Sequence, residues 1–262
     1  MKHTGRAIAG GISGAIALVM LLAAPPRVSG TASVDSPVLV ELFTSEGCSS
    51  CPPADQLLAR IQKADPSAVV LSEHVTYWNG IGWRDPYSSL DSTERQNDYV
   101  RRMGLSSNYT PQMVVNGRYE FVGSDAGAAA QALHQAAAGT TVPLAISDLK
   151  ATHNRVAFSL QTGTVDKEAQ LMVVLAQDEG IEHVANGENG GRTLRHVQIA
   201  RTIRRVASVK DGSAYAGTIS LDVPPAIGGE GWHLVVFLQQ GPGGPILGVA
   251  SQALGAGTPL AS

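Results

Sequence analysis

The chain has 262 residues, enough for one large domain or two small ones, each with its own core. Hydrophobic residues make up 44%, charged residues 16% and aromatics 5%, a folded composition that excludes a disordered chain. The formal charge of −3 offers no basic field for nucleic acid or an anionic membrane surface.

The first residues read as a targeting segment. Lys2, His3 and Arg6 precede an unbroken run of apolar and small residues from Ala7 to Ala24, then Pro25, Pro26 and mostly small residues through Ser33. This is the three-part layout of a secretory signal peptide over residues 1–33, with cleavage after Gly30, Ala32 or Ser33. The other reading is an uncleaved anchor helix. Its length is at the lower limit for a span, and Gly10, Gly11 and Gly14 weaken it. Export removes Lys2, Arg6 and Arg27 and takes the formal charge from −3 to −6. The expected location is periplasmic or secreted.

Only two cysteines occur, Cys48 and Cys51. In an oxidising compartment such a pair is a disulfide or cycles through one. Closing so short a loop stabilises a fold by about 2 kcal/mol at best on the chain-entropy model, so the spacing favours chemistry over stapling.

Along the chain, Val38–Phe43 reads as a buried strand leading into Cys48-Ser49-Ser50-Cys51-Pro52-Pro53 and a helix carrying Leu57, Leu58 and Ile61 on one face. Pro66 ends that helix. Ala68–Val75 is a second buried strand, and residues 76–92 form an aromatic loop. Thr93-Glu94-Arg95-Gln96 resembles a capping box opening a helix that ends near Gly104. Gln112–Val115, the turn Asn116-Gly117 and Tyr119–Val122 read as a hairpin, followed by an alanine-rich helix capped by Ser124 or Asp125. Beyond Gly139 the texture changes to short strands, expected at 143–151, 154–162, 169–177, 192–200, 201–209, 214–223, 232–240 and 245–253. The expected architecture is an α/β domain at 34–140, a four-stranded sheet covered by helices, then an all-β sandwich-like domain at 141–255 and a flexible tail at 256–262.

The chemistry is expected at Cys48 and Cys51, between a strand and a helix. Unpaired N–H groups and the dipole of a helix N-terminus stabilise a thiolate there, and the second thiol resolves a mixed disulfide by intramolecular attack. Cys48 is read as the more exposed, attacking thiol and Cys51 as the resolving one. Pro52 and Pro53 fit only a first helical turn. If Pro52 opens the helix, Cys51 is its cap and feels the dipole more directly.

Residues 37–140 resemble thioredoxin in this strand, Cys-x-x-Cys, helix and later proline layout. More narrowly, the stretch from Glu41 through Cys48 and Cys51 to Asp55 resembles an uncharacterised secreted bacterial thioredoxin-like family, domain of unknown function 1223. So do the segments 74–78, 82–86, 93–96, 109–117 and 187–196. The chain departs from that family at Thr76, where members usually carry an acid. The resemblance implies a redox-type motif, with Pro111 in the place of a cis-proline facing the disulfide. The Thr110 backbone would then lie ready to pair with an extended substrate segment. It also sets Glu41 in the place of a buried acid that takes the resolving thiol's proton, with one extra residue before the first cysteine. The alternative is a solvent-facing glutamate.

Tyr77, Trp78 and Trp83, with Tyr87, read either as an aromatic wall for substrate or as packing for their loop. Glu46 is a loop charge near the thiols. His74 either faces the cysteines or closes a strand. With Cys48 and Cys51 it would suit copper or zinc, although a structural zinc site lacks an evident fourth ligand. Residues 188–196 form a polar turn entering a strand, and Arg201, Arg204 and Arg205 a solvated strand face. The function expected is an exported thiol–disulfide oxidoreductase without a cofactor, acting on exported proteins or a small thiol or disulfide. The alternatives are a copper or zinc delivery protein using Cys48, Cys51 and His74, or a non-catalytic interaction module. No nucleic acid partner is expected, and membrane contact only through an uncleaved signal segment.

Overall fold

In the computed structural model, residues 1–2, 36–152, 154–223 and 231–255 are described. The signal segment and the tail at 256–262 therefore lie outside the described residues, apart from Met1 and Lys2. Strand β1 (Val38–Thr44) is buried along its whole length. Its alternating side chains serve two faces. Val38, Val40 and Leu42 meet Ala54, Leu57, Leu58 and Ile61 of helix α1 (Pro52–Ala64), together with the alanines of α3 (Ala126–Ala137). Leu39 and Phe43 face the other way, Phe43 toward Tyr99 of α2 (Leu90–Met103).

The caps explain the helix boundaries. Pro52 and Pro53 occupy the first turn of α1, where a missing N–H costs nothing, and Cys51 is the cap residue. Asp125 caps α3 by accepting from the N–H groups of Gly127 and Ala128. Helix α2 starts earlier than the expected Thr93 box. Ser89 is the cap and accepts from Ser92, and Gly104 closes the helix in the left-handed region.

The expected α/β thioredoxin-like domain followed by an all-β sandwich is overturned by the sheet itself. Eight strands form one mixed sheet, in the order β11-β10-β7-β8-β2-β1-β3-β4. Here β2 is Ala68–His74, β3 Gln112–Val115, β4 Tyr119–Val122, β7 Ala169–His183, β8 Thr193–Val209, β10 Trp232–Gln239 and β11 Ile246–Ala253. Instead of ending at β2, the sheet continues where Ser72 pairs with Ile199 of β8 in parallel register. Among the described residues three strands, β5 (Leu144–Thr152), β6 (Arg155–Thr162) and β9 (Ala216–Asp222), form a second sheet. Phe158 and Leu160 of that sheet pack on Leu171, Val173, Leu234 and Val236 of the large one. The described residues from 36 onward belong to one compact unit.

Two strands are longer than expected. The segments 192–200 and 201–209 are one 17-residue strand, and the strand expected at 169–177 runs on to His183. This long β7–β8 hairpin carries residues 184–192 to the C-terminal end of β1. The sheet also bends back on itself. Ile246 donates to the Asn116 carbonyl, and a Cβ on Gly117, whose φ is 61°, would lie 2.3 Å from the Gly244 carbonyl oxygen. The Asn116-Gly117 turn therefore needs glycine for its dihedral and for this close approach. Among the described residues no helix is long and apolar enough to cross a membrane.

Candidate functional site

Cys48 and Cys51 form a disulfide at the junction of β1 and α1, with Cα atoms 5.4 Å apart. The loop is held by its own backbone. The Cys48 N–H donates to Ser45 O, and the Cys51 N–H to Cys48 O. Ser50 Oγ lies 3.3 Å from Cys48 Sγ. The Ala54 and Asp55 N–H groups both donate to Cys51 O, and Pro52 and Pro53 have none to give. The first turn thus has few free N–H groups to aim at sulfur. What α1 offers a thiolate is mainly its dipole, directed at Cys51.

The expected exposure of Cys48 is not found. Both cysteines have 0% relative exposure, beneath an exposed turn formed by Ser49 and Ser50. The β7–β8 hairpin, far away in sequence, is tied to the backbone of this loop. Asn189 Nδ2 donates to both Glu46 O, at 2.8 Å, and Cys48 O, at 2.9 Å. Arg192 holds the Asn189 carboxamide oxygen. Glu188 accepts from the Ser49 N–H at 3.0 Å, which lowers the pKa of its carboxyl.

The aromatic loop lies beside this turn. Trp78 Nε1 donates to Thr110 Oγ1 at 2.8 Å, and a Cβ on Gly47 would come within 3.2 Å of Trp78 Cβ. The tryptophan thus links the cysteine loop to the Thr110–Pro111 bond, which is cis. A Cβ on Gly123 would lie 3.2 Å from both Pro111 and Ala54, so the Pro111 turn rests on the first turn of α1. Trp83 Nε1 donates to Glu46 Oε2 at 2.8 Å. Tyr77, 39% exposed, donates to Gln96 Oε1, and Gln96 Nε2 donates to Tyr109 O.

A buried polar cluster lies behind the loop. His196 of β8 places Nε2 3.3 Å from Glu46 Oε1 and Nδ1 3.7 Å from Asp55 Oδ1. These are ion-pair distances without hydrogen-bond geometry; both imidazole nitrogens and Glu46 Oε1 lack a hydrogen-bond partner. Burial opposes charge on His196, but Asp55 and Glu46 outweigh it and push its pKa up to about 10. The His74 ring stands edge-on to His196 at 4.5 Å, and its Nδ1 meets Asp85 Oδ2 at 2.7 Å. Burial opposes the Asp85 charge as well. His74 and the N–H groups of Glu46 and Tyr87 overcome it and bring its pKa to about 2. His74 is thus committed to Asp85. Among the described residues no group of three or more His, Cys, Asp or Glu side chains is arranged to hold a metal.

Glu41 sits in a different cluster. Strand alternation turns it to the face opposite Leu42 and Thr44, away from α1. Arg95 Nε donates to Glu41 Oε1, and Tyr99 OH donates to Oε2. Arg95 also reaches Gln239 and the Tyr99 oxygen, both at 2.9 Å, and stacks over Phe237. Its pKa is raised: burial works against the charge, and Glu41, Tyr99 and Glu73 outweigh it. Glu73 lies 3.5 Å from Arg95 Nε without a hydrogen bond, and its pKa is well above the ordinary value, first through burial and then through Glu41.

Sequence reasoning missed Asp55, Asp85, Asn189 and His196 as members of this site. A signal existed for Asp55, which follows Cys51 by one helical turn. For His196, 141 to 150 positions from Asp55 and Glu46, the signal was its place in the 187–196 segment that resembles the family.

Fold and site together define a mixed-sheet protein with a covered Cys-Ser-Ser-Cys disulfide at a strand-to-helix junction. The profile of the family described as "Protein of unknown function (DUF1223)" matches residues 39–239, and the chain belongs to that family. The crystal structure of an Agrobacterium tumefaciens protein from a structural genomics consortium is similar at 29% identity and TM-score 0.65, covering 87% of this chain and 98% of that one. A Pseudomonas fluorescens alkylpurine DNA glycosylase bound to DNA containing an abasic site analogue matches at 17% identity, over 46% of this chain and 32% of that one. At TM-score 0.22 that likeness says nothing of this fold. No curated protein matches.

Proposed function

We propose that the protein is an exported thiol–disulfide oxidoreductase acting through Cys48 and Cys51. The observation that carries this reading is a disulfide at the N-terminus of α1, beneath the exposed Ser49–Ser50 turn and beside the Trp78–Thr110 contact. Such a bond adds little as a staple. Leu42, Ala54, Leu57 and Leu58 already tie β1 to α1, and a loop this short contributes about 2 kcal/mol at most. Ser50 offers a hydroxyl to a Cys48 thiolate. An incoming thiol reaches Cys48 by displacing the Ser49–Ser50 turn and its tether to Glu188, which suits a small thiol or an extended peptide. The apolar N-terminal segment supports export.

Zero exposure of both sulfurs favours a second reading, an inert disulfide in an interaction module. Equilibration with glutathione separates the two. The redox reading expects a potential within the range of exchange proteins, and a Cys51→Ala variant that traps a mixed disulfide through Cys48. A potential below about −300 mV, where disulfides resist the glutathione pool, with no trapped species, would establish the inert reading instead.

A further inference from the structure

We infer that Asp55, positioned by His196, is the group that exchanges a proton with Cys51 when the disulfide opens and closes. This rests on the exchange reading above and moves the acid–base role from Glu41 to α1.

Cys51 already has helical dihedrals, and the Asp55 N–H donates to its carbonyl. Side chains four apart on a helix share one face, with Cβ atoms about 5–6 Å apart. Asp55 is thus the carboxylate one turn below the resolving sulfur. Its Oδ1 accepts from Thr44 Oγ1 at 2.9 Å and faces His196 Nδ1. His196 is the second, independent observation: a fully buried imidazole with no hydrogen bond from either nitrogen, set between Glu46 and Asp55. Such a side chain costs stability unless it is charged between those carboxylates. Glu41, with both oxygens engaged and turned to the other face, cannot serve.

The cluster also has a way out. Asp55 borders a groove between α1 and β8 lined by Arg60, Lys63 and Arg195, through which a proton reaches water. The groups facing Asp55 are Thr44 from β1 and His196 from β8, and the charged groups of the groove beside it are Arg195 from β8 and Arg60 and Lys63 from α1 itself. His196 is faced by Glu46, Asp55, His74 with its partner Asp85, and Tyr87.

The step balances with glutathione disulfide as oxidant. The Cys48 thiolate attacks one glutathione sulfur, and the first glutathione thiolate leaves. Cys51 sulfur then attacks Cys48 Sγ while its proton passes to Asp55. The second glutathione leaves as thiolate, and the Cys48–Cys51 bond is restored. Two electrons go to the glutathione pair, and the two cysteine protons end on the two released thiols. Reduction by a dithiol runs the same path backward, with Asp55 returning the proton to Cys51.

The test is single-turnover oxidation of the reduced full-length protein by glutathione disulfide, following release of the second glutathione across pH. Asp55→Asn should slow that release by about 100-fold, the scale of positioned acid–base catalysis, and abolish its pH inflection. Asp55→Glu should restore the inflection. His196→Gln should displace the inflection with a smaller loss of rate, and it serves as the test if Asp55→Asn does not fold. Release at the parent rate and with the parent pH profile in Asp55→Asn, or in His196→Gln should Asp55→Asn not fold, would overturn the proton role while leaving exchange intact. Failure of Cys51→Ala to form a mixed disulfide with glutathione would overturn the exchange reading and this inference with it.

Discussion

Two buried charged clusters flank the first two strands, and they are built on different terms. On the α2 face, Arg95 spreads its guanidinium over Glu41, Gln239 and Tyr99, and Tyr99 donates back to Glu41. On the cysteine side, His196 stands between Glu46 and Asp55 with no hydrogen bond from either ring nitrogen. A guanidinium keeps its charge at any pH and satisfies several acceptors in one plane, so it ties α2, β1 and β10 together. An imidazole can gain or lose a proton. The first cluster is suited to holding the fold and the second to moving protons. The cluster that could change state is the one next to the sulfur atoms.

The sharpest way to break this contrast is to remove the guanidinium. Arg95→Met strands Glu41 without a cation. Breaking a buried pair in this way typically costs about 3–5 kcal/mol. Urea denaturation should therefore show a loss of that size, or no folded protein. A loss under about 1 kcal/mol would remove the structural role assigned to the cluster.

A smaller effect is expected at Glu73. Its pKa is raised in the folded state, so the folded chain holds a proton that the unfolded chain has released. Stability from that proton is fully present below the ordinary glutamate value and is lost as pH rises through the raised one. Glu73→Gln removes the titration. The variant should match the parent in acid and melt at a higher temperature at neutral pH. Parallel melting curves across that window would contradict the sign.

The smallest effect on stability belongs to the hairpin tether. Glu188 is exposed and accepts from the Ser49 N–H. Glu188→Ala should leave the denaturation midpoint unchanged and speed reduction of the disulfide by dithiothreitol a few-fold, measured by thiol release. An unchanged rate would mean that the residue 184–192 segment does not control access.

Much of the local structure was legible. Burial of Val38–Phe43, the two prolines opening α1, the Asn116-Gly117 turn and a cap at Ser124 or Asp125 each follow from residues within a few positions. The structure places Trp78, Thr110 and Pro111 beside the cysteine loop. Glu41 was harder to place, because one residue more before the cysteine turns a strand side chain to the opposite face. The capping box at Thr93 concealed Arg95, whose partners Glu41 and Gln239 lie 54 and 144 positions away.

By itself the sequence determined the short-range facts: a cysteine pair at a strand-to-helix junction, a strand-rich stretch after residue 140, and several of the turns. These depend on side-chain period, backbone dihedrals and caps, all local. Tertiary structure alone decided that β7, β8, β10 and β11 join the first sheet at Ser72 and Ile199, leaving β5, β6 and β9 as a separate small sheet, rather than all of the later strands forming a domain of their own. It alone decided that the β7–β8 hairpin is tied to the cysteine loop and that β8 delivers His196 to Asp55 and Glu46. An open strand edge accepts any partner with free N–H and C=O groups, and which partner arrives depends on the packing of the whole chain.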